Sequence, residues 1–185
     1  MANNNRLTRG EASVGSLIVD DLIRFNDGTE QVTAYHFRNL SAFSTATQTN
    51  TGGGTAPVAM IFETTSEANQ ITIVNNTRIT PKHSSEYNIQ FSAQIDKTDS
   101  NADDIDIWFA INGTAVPYSN TRITLPTNNA KTVGSWNFIT PLKSTEYLQI
   151  LWYSADVDMR LHAEAPQTNP TRPGIPSVIL TVWEI

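Results

Sequence analysis

The sequence predicts an all-β fold, an antiparallel β-sandwich or jelly roll, with an extended N-terminal arm. Three observations carry that expectation. Apolar and polar residues alternate with a period of two through several segments of the second half. Proline and Asn-Gly turn signals separate those segments at short intervals. No convincing helical period runs for ten residues or more.

Taken in chain order, residues 1–46 read as an attachment arm. They hold Leu17, Val19, Leu22, Ile23, Phe25, Tyr35, Phe37 and Phe43, too many apolar groups to leave in water. A segment of about 40 residues seldom builds a core of its own. The arm is therefore expected to dock on a partner or intertwine with identical copies, with Leu17, Val19, Leu22, Ile23, Phe25, Tyr35 and Phe37 as the attachment residues. The alternative is an arm folded back on its own domain. Residues 47–56, rich in threonine and glycine, have the composition of a flexible linker.

Residues 57–185 form the predicted sandwich. Tyr87, Ile89, Phe91, Ala93 and Ile95 alternate with Asn88, Gln90, Ser92 and Gln94, which is the signature of a half-buried strand. Ile105, Ile107, Phe109 and Ile111 repeat the pattern and run into Asn112-Gly113, a two-residue hairpin signal. The segment from Tyr147 to Tyr153 alternates less cleanly, and Val157, Met159 and Leu161 make a short run. Pro117, Pro126, Pro141 and the series Pro166, Pro170 and Pro173 fall where no ladder N–H is needed. The last segment, Pro176 to Ile185, is apolar on both faces: Val178, Leu180 and Val182 share one, and Ile179, Thr181, Trp183 and Ile185 the other. Both faces are expected to be covered, so that the segment lies inside the chain's own core or against a neighbouring copy.

Composition narrows the function. The 185 residues contain no cysteine and carry a net charge of −6. An acidic chain is a poor match for a nucleic-acid binder, which needs a basic face to neutralise phosphates. No apolar run reaches about 18 residues, so neither a transmembrane helix nor a membrane partner is predicted, and the N-terminus does not read as a signal peptide. His36, His83 and His162 stand apart without a metal-ligand spacing, and no Gly-x-Ser-x-Gly elbow occurs. The chain is read as a non-enzyme without a cofactor. Asp99, Asn101 and Asp103 have the i, i+2, i+4 spacing of calcium loops, but Asp104 stands where the glycine belongs and Ala110 where the glutamate does, so no EF-hand is present. They remain weak metal candidates beside the simpler reading of a solvated strand-to-strand loop. Trp108, Trp136, Trp152 and Trp183 sit in apolar strands, where packing is the commoner role of tryptophan. Trp108 differs in sharing its face with Asp106, an arrangement that also suits stacking on a sugar.

Two groups of residues carry a resemblance. Arg24-Phe25-Asn26-Asp27-Gly28-Thr29-Glu30-Gln31-Val32-Thr33-Ala34 resembles a stretch that recurs near the ends of bacteriophage fibre shafts. Ile111-Asn112-Gly113-Thr114, Thr121 to Pro126, Ser135-Trp136-Asn137-Phe138 and Ile175 to Val182 are similar to trimeric jelly rolls of the C1q/TNF-like type in phage fibre and head-decoration proteins. The resemblance spans roughly residues 57–185. It implies a homotrimeric virion structural protein, assembled in the host cytoplasm, that decorates the capsid as a cement protein or head fibre. Its partners would be itself and the major capsid protein or another virion protein. It further implies a threefold seam, to which Val178, Leu180, Val182, Trp183, Ile185 and Tyr153 are assigned. A tail fibre or receptor-binding tip that recognises host surface glycan is the alternative. Only one such shaft segment is present, so any stalk is expected to be short.

Overall fold

The computed structural model describes residues 23, 24, 26–28, 30, 31, 37–127 and 130–185. The chain divides into two units, Met1–His36 and Phe37–Ile185. In the first, β1 (Ile23–Arg24) pairs antiparallel with β2 (Glu30–Gln31). The turn between them uses Gly28 at φ +88°, a backbone conformation that costs glycine nothing, and Arg24 Nε donates to Glu30 Oε1 at 2.7 Å across its mouth. The turn falls on Asn26, Asp27 and Gly28. Leu17, Val19, Leu22, Phe25 and Tyr35 lie outside the described residues.

The second unit is entirely β and antiparallel. Its strands are β3 (Asn39–Ser44), β4 (Gln48–Thr49), β5 (Val58–Ala59), β6 (Thr64–Asn69), β7 (Ile71–Val74), β8 (Arg78–Pro81) and β9 (Ser85–Lys97). They continue with β10 (Asp103–Ile111), β11 (Thr114–Ala115), β12 (Thr121–Leu125), β13 (Lys131–Leu142) and β14 (Leu148–Tyr153). The last are β15 (Met159–Leu161), β16 (Gln167–Thr168), β17 (Thr171–Arg172) and β18 (Val178–Glu184). One sheet runs β6-β3-β18-β9-β13, with β15 continuing the line of β18 beside β9 and β4 beside β15. The other runs β7-β8-β14-β10-β12, with β5 beside β14 and β11 beside β10. A separate small hairpin joins β16 to β17.

Alternation fixes which residues fill the space between the sheets. Leu40, Ala42, Ile89, Phe91, Leu180 and Val182 come from one sheet; Ile79, Ile105, Ile107, Phe109, Ile150 and Trp152 come from the other, and all are buried. Aromatic rings lock the two layers. Phe91 meets Phe109 edge-on with centroids 5.9 Å apart and Trp136 at 4.6 Å, and Phe109 stacks on Phe138 at 4.9 Å. Asn112 at φ +50° and Gly113 at φ +82° make the expected hairpin turn from β10 into β11. Pro141 sits in β13, an edge strand with a free N–H side.

Two expectations are corrected. Residues 37–46 are not part of a separate arm, because β3 lies between β18 and β6 and sends Leu40 and Ala42 into the core. For these residues the alternative, a segment folded onto its own domain, holds. Residues 47–56 are a packed turn rather than a tether. Gln48 Nε2 donates to the Ile61 carbonyl at 2.9 Å while Ile61 N–H donates to Gln48 Oε1 at 2.8 Å. Asn50 Nδ2 donates to the carbonyls of Ser154 and Asp156 at 2.9 and 2.8 Å. Gly54, at φ +72°, lies so close to the Ala155 carbonyl that a Cβ would sit 2.4 Å from its oxygen. A glycine there serves close approach as well as conformation.

The C-terminal strand is covered on one face only. Leu180 is fully buried, whereas its neighbour Ile179 is 43% exposed. Leu180→Ala is therefore expected to lower unfolding free energy by about 2–5 kcal/mol in urea titration, and Ile179→Ala in the isolated chain by about 1 kcal/mol or less.

Candidate functional site

The outer face of the sheet centred on β18 is the first candidate. Ile179, Thr181 and Trp183 point away from the core, and Ile185 beyond them is exposed. Across the ladder Ile179 stands opposite Phe43 of β3 and Ser92 of β9. Phe43 and Ile179 join Thr45, Glu164, Pro166 and Ile175 around a groove of about 520 Å³ beside the hairpin of β16 and β17. On the far edge strand Val133 and Ile139 are each 53% exposed. Between these apolar ends runs a polar band of Ser41, Gln90, Asn137 and Thr181. At one end Arg38 and Glu184 form an ion pair. Burial works against the Glu184 carboxylate, but the Arg38 guanidinium outweighs it and holds its pKa below the usual range.

This geometry changes the residues assigned to a seam between copies. Val178, Leu180 and Val182 have no surface left for a second copy to cover, because the opposite sheet of the same chain already covers them. Tyr153 lies in the other sheet, where its hydroxyl donates to the Gly54 carbonyl at 3.0 Å. Trp183 and Ile185 do lie on the available face, together with Ile179 and Phe43, which the sequence reading had not assigned to a seam. Of the expected attachment residues, Ile23 lies in β1 and Phe37 is 53% exposed at the start of the second unit.

The acidic loop resolves into a closed cluster. The side chain of Lys97, at the end of β9, is fully buried. Its ammonium pairs with Asp99 Oδ1 at 2.8 Å, donates to Asp103 Oδ2 and to the Asn101 carbonyl, and stands 3.9 Å from Asp156 Oδ2. Asp99, Asp103 and Asp156 bring carboxylate oxygens within 4.8 Å of one another. The expected trio of Asp99, Asn101 and Asp103 is thus corrected. The third carboxylate is Asp156, and Asn101 contributes its backbone. The cation at the centre is an ammonium of the chain itself. Desolvation pushes the Lys97 pKa down, but hydrogen bonds and charge from Asp103 and Asp99 outweigh it and raise the value. The Lys97 hydrogen bond lowers Asp99. Asp156, desolvated and facing Asp99 and Asp103, is raised. No local sequence signal links residue 156 to residue 97.

His162 sits between two carboxylates, with Nδ1 3.4 Å from Asp96 and Nε2 3.1 Å from Glu164. Arg160 Nε and Nη2 donate to the same Asp96 at 2.5 and 3.0 Å, and Lys131 donates to Glu164 at 2.9 Å. His83 is exposed, and its carbonyl accepts the Tyr87 hydroxyl at 2.8 Å. His36 lies outside the described residues. No helix is long and apolar enough to cross a membrane among the described residues. No protein family and no curated protein matches the chain.

The Lys97 cluster sets an alkaline limit on stability. A lysine whose folded pKa is raised adds stability that is intact below its unfolded value of about 10.4 and lost as pH climbs through the folded value. Tyr87, raised by burial and by Glu184, acts in the same direction. Urea titrations between about pH 9 and pH 12 are expected to show falling stability. Lys97→Met is expected to flatten part of that slope and to lower the urea midpoint at neutral pH, since three carboxylates then lack their counter-charge.

Proposed function

We propose that the chain is a bacteriophage virion structural protein that works by non-covalent assembly, as a homotrimeric capsid decoration or head-fibre protein. On this reading Phe37–Ile185 is a jelly roll of the C1q/TNF-like type, and the residues before it attach to the virion surface. The carrying observation is the outer face of the β6-β3-β18-β9-β13 sheet. It presents Ile179, Val133 and Ile139 to water at the centre and edge of a sheet whose own core is already filled, with exposed Ile185 and Ile175 and half-buried Phe43 beside them. Exposed apolar groups grouped on one face of a small domain mark an interaction surface.

Strand pairing supports the jelly roll. Among β3, β8, β9, β10, β12, β13, β14 and β18, the first pairs with the last, β8 with β14, β9 with β13 and β10 with β12. That nested pairing is a long hairpin rolled into two sheets. The last strand then lies in the middle of one sheet, where a closed threefold ring, each contact joining two different parts of this face, brings three copies of it near the axis. Binding through burial of these side chains needs no catalytic group, and the function proposed is non-enzymatic.

Light scattering on the full chain is expected to give about 61 kDa, three times the 20.4 kDa protomer. Ile179→Asp puts a charge into the seam and is expected to shift the mass to the monomer while circular dichroism stays unchanged. A wild-type monomer at micromolar concentration overturns the reading. Truncation tests the attachment half. Removal of residues 1–36 leaves every strand of the second unit intact, and this variant is expected to keep the trimer mass but lose binding to virions. Removal through residue 46 would delete β3 and is expected to abolish folding instead.

A further inference from the structure

The second sheet has an outer face of a different kind. Asp104, Asp106 and Trp108 of β10 point away from the core, opposite to Ile105, Ile107 and Phe109. Asp106 stands directly across the ladder from Tyr153 on one side and from Arg122 on the other. Arg122 Nε and Nη2 donate to Asp106 Oδ1 and Oδ2 at 3.0 and 2.8 Å, and Asn120 Nδ2 donates to Oδ1 at 3.0 Å. Those hydrogen bonds outweigh burial and hold the Asp106 carboxylate below its ordinary pKa. The result is a rigid row of polar groups, fixed by neighbouring strands and flanked by aromatic rings.

Tyr118 completes the arrangement. Its ring is fully exposed, and its backbone sits at φ +62°, a conformation that bulky residues rarely adopt. The loop is held that way. Ser119 Oγ accepts the Phe109 N–H at 3.0 Å and donates to the Val116 carbonyl at 2.8 Å, while Val116 N–H donates to the Phe109 carbonyl at 2.8 Å. Pro117 and Tyr118 are the middle residues of a turn closed from Ser119 N–H to the Val116 carbonyl, so the turn itself sets the positive φ and carries the tyrosine ring into water beside Trp108. Trp108, Tyr118, Tyr153, Asp106 and Asn120 border one depression of about 330 Å³. A second, of about 310 Å³, shares Asp106 and Tyr153 and is bordered by Arg122, Asp104 and Ser154. Each is within the lower range of small-ligand sites, and the two meet at Asp106 and Tyr153 along the groove beside β10.

We propose that this groove binds a short neutral oligosaccharide. Pyranose rings present an apolar C–H face that packs on aromatic rings and an equatorial rim of hydroxyls that bond acceptors and donors set in fixed positions. Trp108 and Tyr118 offer the faces. Asp106, Asn120 Oδ1 and Arg122 Nη1, which stands 3.7 Å from Asp104 Oδ2, offer the rim partners. Charge selects the class of sugar. Asp103, Asp104, Asp106 and Asp156 surround the groove, and Arg122 is already committed to Asp106, so uronic and sialic acids are repelled. The site lies on the sheet opposite the proposed assembly face and does not depend on it.

The test uses the full-length protein on a printed array of neutral, N-acetylated, uronic and sialylated glycans, followed by calorimetric titration of the best neutral oligosaccharide as a free, monovalent probe. Binding confined to neutral glycans is expected. Trp108→Ala is expected to abolish it, and Tyr118→Gly, which removes the ring while suiting the positive φ, to weaken it about tenfold or more. Glu67→Gln, on the far sheet, should leave the affinity unchanged. No binding to any neutral glycan, preference for acidic glycans, or affinity indifferent to both aromatic variants overturns the proposal. So does a Tyr118→Gly protein whose solution mass changes while its glycan affinity does not, since that marks the face as a contact between copies. A monomeric Ile179→Asp protein that still binds the free probe separates this site from the assembly reading.

Discussion

The second unit is closed by one insertion: β18, built from almost the last residues of the chain, lies between β3 and β9 and bonds to both. Without it β3 and β6 would have no partner to hold them against β9, and Leu40 and Ala42 would lose their cover. Because both edges of β18 are used, its side chains have only two directions left. Val178, Leu180 and Val182 go inward and complete the core; Ile179 and Trp183 have to go outward. The apolar outer face is thus a consequence of the same strand that seals the fold.

The elements that were legible in the sequence are those where one local rule decided the outcome. Period-two alternation placed Ile89, Phe91, Ile105, Ile107 and Phe109 inside, and Asn112-Gly113 turned the chain as its dipeptide demands. What was not legible depended on groups distant in sequence. A stretch of threonine, asparagine and glycine has the same composition whether it swings freely or is pinned, and here the carbonyls of Ile61, Ser154 and Asp156 pin it through Gln48 and Asn50. The apolar double face of the last segment was read correctly as unusual, yet residue spacing alone could not say which face the chain itself would cover. Trp108 was legible as an outward residue beside Asp106; the positive φ of Tyr118 and the Asp106–Arg122 pairing were not, because a loop conformation and a cross-strand register decide them.

The two outer faces differ in what they can recognise. Around β18 the outward groups are apolar side chains divided by an uncharged polar band, with few fixed charges, so contact there is governed by burial and shape, which suits another protein surface. Around Asp106 the groups are aromatic and charged, with hydrogen-bond directions set by three adjacent strands, which suits a polar ligand of defined stereochemistry. One sheet can therefore associate while the other remains free. The sandwich separates the two faces by some ten ångströms of packed core.

The Lys97 cluster illustrates how an apparent metal loop can be satisfied internally. Three carboxylates drawn together in a partly buried site repel one another unless a cation or a proton intervenes. Strand β9 delivers an ammonium to the centre at fixed range, with an ion pair to Asp99, a hydrogen bond to Asp103 and a backbone carbonyl as a further acceptor. One positive charge does not neutralise three negative ones, and the remainder shows in the opposite displacements of Asp99, which is lowered, and Asp156, which is raised toward its protonated form. The loops following β9 and β14 are in this way tied to the end of a core strand by an ammonium that belongs to the chain. It stays in place for as long as the strand does.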